Sequence, residues 1–408
     1  MKNKIIILAA LIGLFASCKK LDIDNPNGGK NPSFATAKEG ASYVYTGEMA
    51  RISAMLTQQL RGSDIHYEPI YEKYILSDSK LTNPYNTAYR SGVALGIDEN
   101  TYEGKLIAGL IYSVMIEYFD NAELYVGRGE DPSTLTYDDI HSLLSSIGGD
   151  YENAAIATNA RVYLNQAKYS DALAEINKLT AGTSSNYGIE HAGSSTNMNE
   201  WPRFVSSRGG YLVTDTNIAG YGIKSGVDAE FVGGGKTMDY TWDSSVDIVL
   251  TSGDTVNVST SNADTLVKVG YMSDDPRLTY YYQGPDDFNF FMARNSMINF
   301  IGDVETEFIK AEALLMTDDN TGAQTAYEHA IQLSMDEVGV TPTDATVYIS
   351  IHGTLDSDKA KAHEQIMKEK YIALFGHPMV FVDYKRTKMP TLIEKTGNFP
   401  DKWHYYYQ

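Results

Sequence analysis

"ARVYLNQAKYSDALAEINKL", residues 160–179, decides the fold, because its offsets return 151 residues later in "AEALLMTDDNTGAQTAYEHA", residues 311–330. Ala160 and Tyr163 fall on a first helix, and Ala172, Ile176 and Leu179 on a second. The later copy repeats the pattern with Ala311, Leu314, Ala323, Tyr327 and Ala330. Small side chains at those positions let two antiparallel helices approach, and the larger ones fill the groove between them. The reading is a mainly α, tetratricopeptide-like scaffold of helix pairs.

Outward from the repeat, helical periodicity runs N-terminally. Ala41, Val44, Tyr45, Met49, Ile52, Leu56 and Leu60 recur at three- and four-residue steps, with Gly62 placed as a C-cap. The pairs Leu106/Ile107, Leu110/Ile111, Val114/Met115 and Tyr118/Phe119 give a helix between Thr101 and Leu124 a broad apolar face. Thr136 and Asp139 have capping-box spacing. Between the copies the texture changes. Residues 181–300 are rich in Gly, Ser, Thr, Asn and Asp, with alternations such as "DIVLTSGDTVNVST" (247–260), and predict a long loop-rich insertion with a few short strands.

The chain start has its own logic. Lys2 and Lys4 precede an apolar run from Ile5 to Ala16, too short to span a bilayer. It reads as a secretory signal peptide, residues 1–17, ending at Cys18, the one cysteine of 408 residues. Cleavage before Cys18 predicts a lipoprotein acylated on that residue, since acyl chains supply membrane affinity with no spanning helix. Residues 18–32 are then a flexible tether rich in Asn, Gly and Pro. Residues 33–408 form a single domain, with scaffold segments 33–180 and 301–408 around the insertion 181–300.

Charge removes other classes. The net charge is −20, and losing Lys2 and Lys4 takes the mature chain to −22. Such a chain is repelled by nucleic acid. Enzyme signatures fail. "GGGKT" (233–237) lacks the earlier phosphate-loop glycine, which is Glu230, and "HEQIM" (363–367) lacks the second zinc-site histidine, which is Met367. No metal site or cofactor is expected, although the acidic loops leave room for a calcium ion. Asp274/Asp275 and Asp286/Asp287 are the acid pairs a glycosidase would need.

Two further stretches carry a resemblance. "YMSDDPRLTYYY" (271–282) is similar to an Asp-Pro-Arg-Leu segment, and "EQIMKEKYIALFGHPMVFVDYKRTKMPTL" (364–392) to a C-terminal signature, of the SusD/RagB family of Bacteroidetes outer-membrane nutrient-binding lipoproteins. "RNSMINFIGDVETEFIKAEALLM" (294–316) resembles the family's helix into its last repeat. The resemblance implies a cell-surface protein on the outer membrane that captures oligosaccharide for a SusC-like TonB-dependent transporter, without catalysis. It leaves open peptide capture and, further off, a secreted glycoside hydrolase. In the C-terminal signature it implies a turn followed by an aromatic, strand-like piece.

Sugar recognition needs flat amphipathic rings beside polar groups, and the chain has 30 tyrosines. The candidates are Asp64, His66, Tyr67, Tyr71 and Tyr74 in the loop after the first helix, and Trp201, Arg203, Tyr211, Tyr221 and Trp242 in the insertion. The C-terminal "WHYYY" (403–407) is expected to dock on the body or fray.

Overall fold

The computed structural model describes residues 34–76, 84–88, 101–124, 133–189, 199–208, 211–214, 221–224, 228–231, 237–238, 245–249, 255–259, 275–277, 281, 297–392 and 395–403. The first helix of the sequence reading is two helices, α1 (Phe34–Thr46) and α2 (Glu48–Leu56). Gly47 separates them, seated so tightly on the Tyr43 carbonyl that a Cβ would collide with it. Leu60 and Gly62 do not cap a helix. They belong to strand β1 (Leu60–Gly62), reached through Gln58 at φ 58°. Burial of Leu60 against the core wins over helical periodicity there.

After α3 (Glu68–Lys73) comes α4 (Tyr102–Tyr118), buried almost all round and started by Thr101, whose hydroxyl accepts from the Gly104 N–H at 3.0 Å. A short ladder, β2 (Glu123–Leu124) with β3 (Ser133–Thr134), leads to α5 (Tyr137–Ser145). That helix opens with the predicted reciprocal cap of Thr136 and Asp139.

The repeats fold as read, except that Leu179 lies beyond the end of its helix. The first copy is α6 (Glu152–Asn165) and α7 (Tyr169–Ile176). Next come β4 (Tyr187–Ile189), α8 (Glu200–Ser207) and β5 (Leu212–Thr214), which pairs antiparallel with β1. Strands β6 (Tyr221–Lys224), β7 (Asp228–Phe231) and β8 (Thr237–Met238) form a small antiparallel sheet. The alternation at 247–260 is a hairpin of β9 (Ser245–Val249) and β10 (Thr255–Ser259). Strand β11 (Ile298–Ile301) returns to pair with β4 and feeds the second copy, α9 (Asp303–Met316) and α10 (Asn320–Val338). The two copies, far apart in sequence, stack directly. Ala160, Ala172 and Ile176 share one buried cluster with Ile309 and Ala313. Arg161 crosses between them, donating to both carboxylate oxygens of Glu305 at 2.7 and 2.5 Å and to the Phe300 carbonyl at 2.6 Å.

Helices α11 (Pro342–His352), α12 (Lys359–Ala373) and α13 (Met379–Thr387) complete the scaffold. The turn after α12 holds Gly376 at φ 71°. The aromatic piece that follows is helix α13, not a strand. Pro378 sits at its N-cap, and Met379, Val380, Phe381 and Val382 are all buried.

The family-like motifs are charge networks inside this scaffold. Arg277 donates to Asp275 (2.6 Å) and Glu369 (2.6 Å) and to the Ser334 hydroxyl (2.9 Å), with Tyr348 under its guanidinium. Arg386 meets Glu312 and Asp383, His363 Nε2 donates to Glu312, and Lys370 pairs with Asp383 at 2.7 Å. Buried pairs of this kind fix register more than they add stability. His363, from the failed zinc motif, is thus structural. Asp275 is spent on an arginine, which removes it as a glycosidase acid.

Candidate ligand-binding face

The β1–β5 ribbon carries the loop that the sequence singled out. Leu60 lies opposite Thr214, Arg61 opposite Val213 and Gly62 opposite Leu212, and the Ser63 N–H donates to the Tyr211 carbonyl at 3.0 Å. Side chains alternate along a strand. Leu60 and Leu212 go into the core, and Arg61 falls on the opposite face with Ser63 and, across the ribbon, Tyr211. Gly62 is required at the fold of the ribbon, where a Cβ would stand 2.6 Å from the Tyr67 backbone.

Each predicted residue has a definite place. Asp64 turns the loop, its Oδ1 accepting from the His66 and Tyr67 N–H groups at 3.2 and 3.0 Å. His66 is exposed, beside Ile65, which is 81% exposed. Tyr67 is buried, edge-on to Phe204 of α8 with centroids 5.8 Å apart. Burial pushes its phenol up, and Arg51 and Arg208 act against that shift. Tyr71 is also buried, with the Lys395 ammonium 3.6 Å and the Arg61 guanidinium 5.9 Å from its centroid. Tyr74, at φ 53°, closes α3, accepts from Gln58 and packs edge-on to Phe399. Tyr211 is half-buried, with the Arg208 guanidinium 5.6 Å from its ring centroid.

Trp201 corrects the expectation of an exposed platform. It is 1% exposed and belongs to the core cluster, because the hydrophobic face of α8 packs inward against the body. Tyr67 and Tyr71 are likewise supports under the surface. The Arg203 and Tyr221 side chains and all of Trp242 lie outside the described residues, as do Cys18 and residues 404–407.

The structure therefore gathers the two predicted groups, one from each side of the ribbon, into a single face. Its outward parts are Tyr211, His66, Ile65 and two arginines, Arg61 and Arg208, that the sequence reading did not name. A larger polar groove lies elsewhere, between Thr180–Ser185 and Asp303, Glu307, Lys310 and His329. No Phe, Tyr or Trp lines it, so the ribbon face is the better candidate for a sugar.

Comparison with known proteins places this geometry. Residues 254–404 match a family model, SusD-like, described as starch-binding and associating with the outer membrane. The fold matches a Bacteroidetes SusD-like structure at 12% identity, TM-score 0.60, over 92% of this chain and 94% of that one. It matches a chitin-binding protein at 12% identity, TM-score 0.60, over 88% of each chain. A SusD homolog from Bacteroides ovatus aligns at 13% identity, TM-score 0.58, over 88% of this chain and 86% of that one. No curated protein matches the sequence. Over residues 254–404 the chain matches the SusD-like family model, and its arrangement of helices is the fold those structures share.

Proposed function

We propose that the protein is a binding protein, anchored by lipid on Cys18 to the outer membrane and facing outward, that captures oligosaccharides and hands them to a SusC-like TonB-dependent transporter. The observation that carries this reading is the ribbon face, where Tyr211 offers a ring beside Arg208, Arg61 and His66. An amphipathic ring takes the C–H side of a pyranose while neighbouring donors take its hydroxyls. The family's description as starch-binding, and the chitin-binding protein of the same fold, support a glycan over a peptide. The protein holds its ligand without bond cleavage. Among the described residues no group of three or more His, Cys, Asp or Glu could hold a metal ion, and no helix is long and apolar enough to cross a membrane.

The test is native affinity electrophoresis of the mature protein through gels containing soluble polysaccharides, with reducing ends assayed in parallel. Retardation by a glycan, weakened by Tyr211→Ala, with no release of reducing ends, is the expected result. Product release would make the protein a hydrolase, and indifference to every polysaccharide would remove the glycan reading.

A further inference from the structure

Six arginines have described side chains, and they divide cleanly. Arg161, Arg277 and Arg386 are buried in carboxylate pairs within the scaffold. Arg51, Arg61 and Arg208 have no carboxylate partner among the described residues. All three gather at the ribbon face, and each lies against an aromatic ring. Arg51 is 4.4 Å from the Phe204 centroid, Arg61 is 5.9 Å from that of Tyr71, and Arg208 is 5.6 Å from that of Tyr211. In a chain with 53 acidic and 33 basic residues, a guanidinium should find a carboxylate easily. Arg61 and Arg208, side by side at the ribbon without one, mark a local reserve of positive charge on an acidic molecule.

The rings matter to what these groups can do. A guanidinium held near a ring by cation–π attraction keeps N–H donors for a charge-assisted contact with an anion. Arg208 is exposed and Arg61 half-buried, so both side chains can be reached from outside. The Arg61 Nε is buried and has no hydrogen-bond partner, so Arg61 would meet a ligand through its Nη end. Arg51 is only 5% exposed, and its Nε and Nη1 also lack partners, so it makes no contact from outside. Glu48, three residues earlier on α2, and Glu200 oppose Arg51 at Tyr43 and offset its charge, whereas the carboxylates beside Arg61 and Arg208 are otherwise engaged. Asp64 is engaged by two backbone N–H groups, and Glu72 lies 3.9 Å from Lys395. Glu68 stays at the first turn of α3, where the helix dipole favours it.

Resting on the glycan-binding reading above, we propose that the ribbon face selects glycans bearing anionic groups, carboxylate or sulfate, with Arg61 and Arg208 flanking Tyr211 as the specificity-determining pair. The ring receives the apolar side of a sugar, and the two guanidinium groups receive the acid substituents of that residue and its neighbour. The excess negative charge elsewhere on the protein then repels the same ligand from every other surface.

The experiment is calorimetry on the mature protein with oligosaccharides of matched length: neutral malto- and xylo-oligosaccharides, oligogalacturonates, and sulfated galactan oligosaccharides. The expected result is at least about tenfold tighter binding of an acidic series than of the neutral ones at low salt, a gap that narrows in 0.5 M salt. Arg61→Ala with Arg208→Ala should abolish that preference, and Arg208→Lys should keep part of it. Preference for the uronate series alone assigns carboxylate, and for the galactan series alone assigns sulfate; either supports the proposal. Equal or tighter binding of neutral glycans overturns it while leaving glycan capture standing. Binding of none of them overturns both. The wild-type preference decides the matter even if the double variant fails to fold.

Discussion

His377 is the residue whose chemistry is most changed by its surroundings. Burial lowers its pKa to about 4, with Glu305 and Arg161 acting on it in opposite senses. The Met379 N–H donates to Nδ1 at 3.2 Å, so the neutral ring carries its proton on Nε2. In the unfolded chain the same imidazole titrates near 6.5. Between those values the unfolded state binds the extra proton, so stability is full above about pH 6.5 and falls as pH drops toward 4. The loss amounts to about 3 kcal/mol for this residue. Denaturant titrations from pH 4 to 7 should show that slope, and His377→Asn should flatten it. Glu312 adds to acid sensitivity lower down: burial would raise its carboxyl, but Arg386 and His363 hold it well below the usual range. Its contribution is present above the ordinary carboxylate pKa and is lost only as pH falls through the depressed one. Arg277 makes a different point. Replacing it with Met strands Asp275 and Glu369 in the core, and unfolding free energy measured in urea should fall by roughly 3–5 kcal/mol. Replacing Arg208, which binds no carboxylate, should leave it within about 0.5 kcal/mol.

At the scale of elements, the C-terminal strap explains why the ribbon loop is held still. Lys395 lies on Tyr71, Gly397 presses on the Lys73 carbonyl, and Phe399 packs among Tyr74, Phe381 and Tyr384. Trp403 then anchors the end, its backbone N–H donating to the Tyr118 carbonyl at 2.6 Å and its ring centroid 4.7 Å from that of Tyr118. Gly397→Ala must push the strap off α3. Amide hydrogen exchange at residues 68–76 should accelerate by about tenfold or more, with exchange in α9 and α10 unchanged. If protection is lost everywhere instead, the strap supports the core at large and not the loop. Elements of this kind were unevenly legible in the sequence. The repeats were readable because small residues at fixed helical offsets are a local signal. The Thr136 cap was readable for the same reason. Leu60 was misread because tertiary burial overrode its helical period, and the 379–387 helix because the strand-like reading came from the resemblance and not from its own pattern. The arginines of the ribbon face left no trace, since lacking a carboxylate partner is a property of packing that no spacing encodes.

At the scale of the molecule, the fold separates two jobs by charge and by place. Stacked repeats bury their cations against carboxylates and act as a rigid body. On the proposed glycan-binding reading, the ribbon keeps Arg61 and Arg208 clear of carboxylates and turns them toward a ligand. No helix among the described residues is long and apolar enough to span a bilayer. On the lipoprotein reading, affinity for the membrane comes wholly from acyl chains on Cys18, at about 0.8 kcal/mol per buried methylene. Two consequences then separate cleanly in one variant. Cys18→Ala, expressed with a cleavable leader, should leave the membrane fraction for the soluble one, while its calorimetric affinity for the retained glycan stays within about twofold of wild type. Uptake of that glycan by cells carrying only the variant should fall sharply, because delivery to a transporter in the membrane depends on the local concentration that tethering provides. A variant that remained in membranes would show that another segment anchors the protein. One that left the membrane yet sustained uptake would show that capture and import are not joined by the tether.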